Sequence, residues 1–153
     1  MVGRNIDDVI TLDPSSAGEE TYTVVFRAAY NTLISTDPAD PGNKIVPELA
    51  ESWTVAPDAS KVTLKLKHGL VFASGNPITS ADVKFSLDRL KNINNQDSYL
   101  MDGVASVDTP DANTIDITLS APNSAFLASL TSVSFSIMDS AVVKAHGGVS
   151  DPG

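Results

Sequence analysis

The groups in this chain that can move a proton or hold a metal are nineteen carboxylates and two histidines, His68 and His146; there is no cysteine. A transition-metal centre needs further nitrogen or thiolate ligands at close spacing. Neither histidine has such a neighbour, so both are read as turn or surface residues. Asp37, Asp40 and Gly42 faintly resemble a calcium loop, but the carboxylate spacing and the closing glutamate are missing, and these acids are read as solvated turn residues. No G-x-S-x-G elbow, S-x-x-K pair, Walker loop, G-x-G-x-x-G or H-E-x-x-H occurs, which disfavours the common hydrolases and nucleotide enzymes. Tyr22, Phe26 and Tyr30 recur at helical spacing and are assigned to packing before a ligand groove, as is Trp53 within its extended apolar run. One segment invites a ligand. Ser15 to Thr21 joins a strand to a helix start, where unpaired amides face outward and can receive a carboxylate; an ordinary connecting loop is the competing reading.

The elements that must position this segment follow from pattern and punctuation. Over 153 residues, 42% of them apolar, one globular unit with a real core is expected, and no apolar run approaches the roughly 18 residues a membrane-spanning helix needs. Ten Lys and Arg against nineteen Asp and Glu leave a net charge of −9, which repels a phosphate backbone and makes nucleic acid and anionic membrane poor partners. Val9 to Leu12 reads as a strand stopped by Asp13-Pro14, and Glu19 to Leu33 as a helix with acids in its first turn. Asp37 to Asn43 is a loop, and Pro47 to Glu51 a short helical turn. Ser52–Ala56 and Lys61–Lys67 are strands about the turn Pro57 to Ser60, the second with Val62, Leu64 and Leu66 on one face. Thr79 and Asp82 form a capping box for a helix that ends near Asn92 to Asn95, with Val83, Leu87 and Leu90 as its apolar stripe and Lys84 beside Asp88 on its wet face. Val104–Val107 and Thr114–Leu119 read as a hairpin. Asn123 caps a helix through Leu130, Phe135–Met138 is a strand, and Ser140 caps a last helix to about Ala145. The expected class is α+β, a mixed and largely antiparallel sheet with three or four helices.

Three stretches in order carry a family likeness. They are Thr11-Leu12-Asp13-Pro14 with Ala29-Tyr30-Asn31-Thr32-Leu33; Ile45 to Trp53, which reads IVPELAESW; and Val71 to Arg89, which contains FASGNPITSADV. The third resembles the F-x-(S/D)-G-x-P-(V/I)-T-A-x-D-V pattern of the extracellular solute-binding proteins of family 5, the peptide- and nickel-binding components of ABC transporters, with Ser80 where alanine is usual. The resemblance implies a fragment of a protein more than three times as long, in which two lobes joined by hinge strands close around a solute. It implies that residues 1–33 begin the N-terminal, periplasmic-binding-protein-like lobe, that 34–138 form a small accessory α+β domain, and that 139–153 start the return to the lobe.

The same resemblance places solute contacts at Gly18, Glu19, Glu20 and Thr21, with Tyr99 where the accessory domain nears the cleft. It implies no catalytic residue, metal or cofactor. The partners it implies are a small solute of the peptide class and a membrane permease, and the location is periplasmic or extracellular after removal of a signal peptide. Nickel-complex, sugar and opine-like solutes stay open, and an isolated lobe is expected to self-associate through its bared apolar area. Two other classes stand beside this one: a carboxylate-dependent hydrolase, which would lose turnover on substitution of Asp58, Asp82 or Glu51, and a protein-interaction module.

Overall fold

The computed structural model describes residues 12–15, 20–93 and 96–147. Helix α1 spans Glu20–Ala29, the ribbon β1 (Ile34–Thr36) and β2 (Ile45–Pro47) follows, and then come β3 (Ala50–Val55) and β4 (Lys61–Leu66). Helix α2 (Ser80–Asn92) leads through a 3-10 turn, Gln96–Met101, into the hairpin β5 (Val104–Asp111) and β6 (Thr114–Leu119). Short helices α3 (Phe126–Ser129) and α4 (Ser140–Ala145) flank a second 3-10 turn, Val133–Phe135. The main sheet is antiparallel throughout, in the order β3-β4-β6-β5, and the β1–β2 ribbon stands apart from it. The expected α+β class with a largely antiparallel sheet is what forms.

The core grows from the alternation in the two central strands. Val62 faces Ile117 and Leu64 faces Ile115 across the β4–β6 ladder, and all four are buried. Between them Thr63 faces Asp116, on the other side of the pleat, where Asp116 accepts bonds from Lys61 (2.9 Å) and Thr63 (2.6 Å). Helix α2 lays Val83, Leu87 and Leu90 on the apolar face, joined by Met101 from the following turn. Burying such a side chain is worth about 1.5–3 kcal/mol, so these residues outweigh the helix-propensity terms many times over. Trp53 packs on this core but stays half exposed, because β3 is the sheet edge.

Several local expectations give way to long-range bonding. Helix α1 stops at Ala29, four residues early: Tyr30 makes the last bond to Phe26, and the chain leaves the helix through a bend at Leu33, where the carbonyls of Thr32 and Leu33 receive the amides of Glu48, Leu49 and Ala50. Those same bonds replace the expected helical turn at Pro47–Glu51 with the end of β2 and the start of β3. Phe135–Met138 is not a strand. Its first residue closes a 3-10 turn, and beyond it the amides of Ile137 and Met138 bond Asn31 O and Ser86 Oγ instead of a ladder. The β5–β6 hairpin extends to Asp111, with a register shift beyond Asp108 that lets Pro110 sit in an edge strand. Asn123 only closes a turn before a four-residue α3, and α4 is capped by Asp139, one residue before the expected Ser140. The expected strand at Val9–Leu12 lies outside the described residues except for Leu12.

Candidate functional site

Residues 12–15, ahead of α1, are fastened at three points. Pro14 and Ser15 are buried, and the Ser15 amide donates to Asp13 Oδ1 at 2.9 Å, closing a turn of the kind aspartate favours. Asp13 Oδ2 pairs with the Arg89 guanidinium on the last turn of α2. The Tyr30 hydroxyl donates to Leu12 O at 2.8 Å, and its ring meets Phe26 edge-on at 5.9 Å. Burial first, and then the negative charge of Asp13, raise the Tyr30 pKa above its ordinary 10.0, so the phenol stays protonated and able to donate. Gly18 and Glu19 lie outside the described residues, while Glu20 and Thr21 form the opening of α1. Tyr99 is 63% exposed on the 3-10 turn after α2, a turn tied back to the helix by Ser98 Oγ donating to Leu90 O at 2.8 Å. The loop and the Tyr99 turn are therefore both fastened to one turn of α2.

The first of the motifs that carry the family likeness is bonded to both of the others, to the third through Asp13 and Arg89 and to the second through Glu48. Glu48 of the second motif accepts Asn31 Nδ2 (2.7 Å), Thr32 Oγ1 (2.6 Å) and the Thr32 amide (3.2 Å) of the first. Asp82 of the third reaches back to the Thr79 amide (2.9 Å) and hydroxyl (2.8 Å), and its other oxygen accepts Ser140 Oγ at 2.7 Å. Asp139 caps α4 and accepts Ser74 Oγ (2.5 Å) and Asn76 Nδ2 (2.9 Å). Burial raises the Asp139 pKa, but the hydrogen bonds from Ser74, Asn76 and the Val142 and Ala141 amides outweigh it and leave the group below 3.8. These acids hold structure. Asp37 and Asp40 likewise accept the amides of Ala39 and Gly42 as turn residues, and His68 is an exposed partner of Asn113 at 2.9 Å.

Pattern reading missed Arg89 as a buried, paired charge. Asp82, Ser86 and Arg89 recur at i, i+4 and i+7, which reads as a polar face, yet they are 7%, 3% and 5% exposed. The available signal was one stripe holding an acid in the first turn and a base in the last. Also missed was a mostly apolar cavity of about 350 Å³ beneath the end of α1, lined in part by Tyr30, Leu49, Phe72, Ile78, Ile137 and Met138. It draws on segments far apart in the chain, so no local pattern announces it. Among the described residues no group of three or more His, Asp or Glu is arranged to hold a metal ion, and no helix is long and apolar enough to cross a membrane.

A family model described as bacterial extracellular solute-binding proteins, family 5 Middle, matches residues 44–151. The chain belongs to this family. A probable D,D-dipeptide-binding periplasmic protein of Escherichia coli K12 is 33% identical over 148 residues, and a glutathione-binding protein of the same strain is 32% identical over the same length. Each alignment covers 95% of this chain and 28% of the relative, so the chain spans under a third of the length of the curated relatives it matches. The protein AgaA of A. tumefaciens R10, solved with agropinic acid, is 32% identical with a TM-score of 0.80 over 90% of this chain and 28% of that one. Haemophilus influenzae OppA, solved with the peptide RPPGFSPFR, shares the fold at a TM-score of 0.83 and 20% identity, over 90% of this chain and 30% of its own. These relatives are solute-binding proteins, not enzymes. The family 5 fold here is part of a periplasmic-binding-protein-like lobe, and the motifs that gave the resemblance are the ones that bond the segments of that lobe together.

Proposed function

We propose that this family 5 chain is part of the solute-binding component of an ABC importer, a carrier that captures a peptide-like solute outside the cytoplasmic membrane and delivers it to a permease. The observation that carries the reading is the family match over residues 44–151, joined to relatives at 32–33% identity named for D,D-dipeptides and glutathione. In this reading the solute contacts fall at Gly18, Glu19, Glu20 and Thr21, about the start of α1, since a helix N-terminus leaves backbone amides for an extended ligand, with Tyr99 at the margin. Backbone recognition suits a carrier that must accept varied side chains, and closure of two lobes then supplies affinity without any bond being made or broken.

The domain arrangement follows the same reading: 1–33 belong to the lobe, 34–138 are an accessory unit inserted into it, and 139–153 turn back. Support comes from the meeting of the two connections, since Ile137 N donates to Asn31 O at 2.9 Å and Glu48 grips Asn31 and Thr32. The test is a thermal-shift titration of the protein expressed from its full reading frame with a defined pool of di- and tripeptides, glutathione included. A ligand at one hundred times its Kd stabilises a native state by about 2.7 kcal/mol, so a rise of several degrees is expected. An unchanged melting temperature across the pool contradicts the proposal.

A further inference from the structure

We propose that Arg89 is a positioning residue for solute capture, acting through its ion pair with Asp13 and not by touching solute. This rests on the reading above that the loop entering α1 carries the solute contacts. Arg89 is 5% exposed, and a guanidinium so enclosed needs a compensating acid. The pair closes across 76 positions of sequence, with Arg89 and Asp13 side chains 6% and 23% exposed. The Asp13 carboxylate divides its oxygens: Oδ1 receives the Ser15 amide and shapes the turn, while Oδ2 docks that turn onto α2.

Helix α2 holds two buried charges two turns apart, and they act on opposite connections. Asp82, in the first turn, bonds Ser140 in the return segment; Arg89, in the last, bonds Asp13 ahead of α1. Helix α2 thereby fixes where the entry loop sits relative to the sheet it packs on. A lysine at position 89 would keep the charge but lose the planar fork, so it should hold the loop less well. A glutamine would lose both.

The test uses protein expressed from the full reading frame, as wild type, D13N, R89K and R89Q. Hydrogen–deuterium exchange is followed in the peptide covering residues 12–29, with β4 and β6 as internal controls. Binding of the di- and tripeptide pool with glutathione is followed by calorimetry. D13N and R89Q are expected to speed exchange in 12–29 about tenfold with β4 and β6 unchanged, and to weaken the tightest interaction in the pool about tenfold; R89K should recover part of both. D13N, altered at the more open end of the pair, keeps the test decisive if R89Q does not fold. Unchanged exchange at 12–29, acceleration spread equally into β4 and β6, or a loosened loop with wild-type binding would each overturn the role of Arg89. A wild-type protein that binds no member of the pool overturns the functional reading instead, and that failure is visible without any variant.

Discussion

At the scale of single residues, Asp82 of the third motif and Asp139 show charged side chains that hold separate segments together. Asp82 spends one oxygen on Thr79 at the start of α2 and the other on Ser140, so its removal unties a helix start and a distant segment together. Loss of a helix cap costs about 1 kcal/mol. We therefore expect Asp82→Ala to lower stability by about 1–3 kcal/mol in chemical denaturation, with Glu51→Ala, exposed on the edge strand, near neutral. Asp139 gives a pH signature. A carboxylate whose pKa is lower in the folded chain contributes stability that is whole above the unfolded value, near 3.8, and lost as pH falls through the folded value below it. The melting temperature of wild type should therefore fall more steeply than that of Asp139→Asn as pH drops below about 4, with the two curves running parallel at neutral pH.

At the scale of elements, what was readable in the chain was what short-range physics decides. Strand β4 announces itself by Val62, Leu64 and Leu66 alternating with polar residues, and α2 by Thr79, Asp82 and the Val83-Leu87-Leu90 stripe; both form with the expected limits to within a residue. The misreadings share one cause. Leu33 continues the helical spacing of α1 and is buried, but at a bend outside the helix, where its carbonyl is claimed by the amides of Glu48 and Ala50. Ile137 has the apolar look of a strand residue and finds Asn31 instead of a neighbour strand. Partners so far off leave no periodic trace. Turn chemistry is local and testable: Gly75 holds φ of +90° with open space where a Cβ would stand, so Gly75→Ala should cost about 1 kcal/mol from backbone strain alone, read as a lowered denaturation midpoint with an unchanged m-value.

For the whole molecule, the core that carries stability is separate from the loop where we propose the solute contacts. The β4–β6–α2 core should respond as any close-packed interior does: Leu64→Ala is expected to cost about 2–5 kcal/mol, while Val71→Ser, 63% exposed at the cavity rim, should stay within about 0.5 kcal/mol. Leu12 and Asp13, at the start of the loop where we propose the solute contacts, are tied to that core by Tyr30 and Arg89. Of that loop, the described part legible in the chain is the stop at Asp13-Pro14 and the start of α1 at Glu20; residues 9–11 and 16–19 of the expected strand-to-helix entry lie outside the described residues. The chain did not expose the anchor, because Arg89 lies 76 positions away on what looks like a solvated face. The central claim is that this polypeptide grips a peptide-like solute and lets it go unaltered. Equilibrium dialysis of the protein expressed from its full reading frame against the di- and tripeptide pool, with mass spectrometry of what is retained and then released, tests it directly. The account predicts one molar equivalent of a peptide retained and recovered chemically intact; no retention, or recovery of a cleaved or modified product, would contradict it.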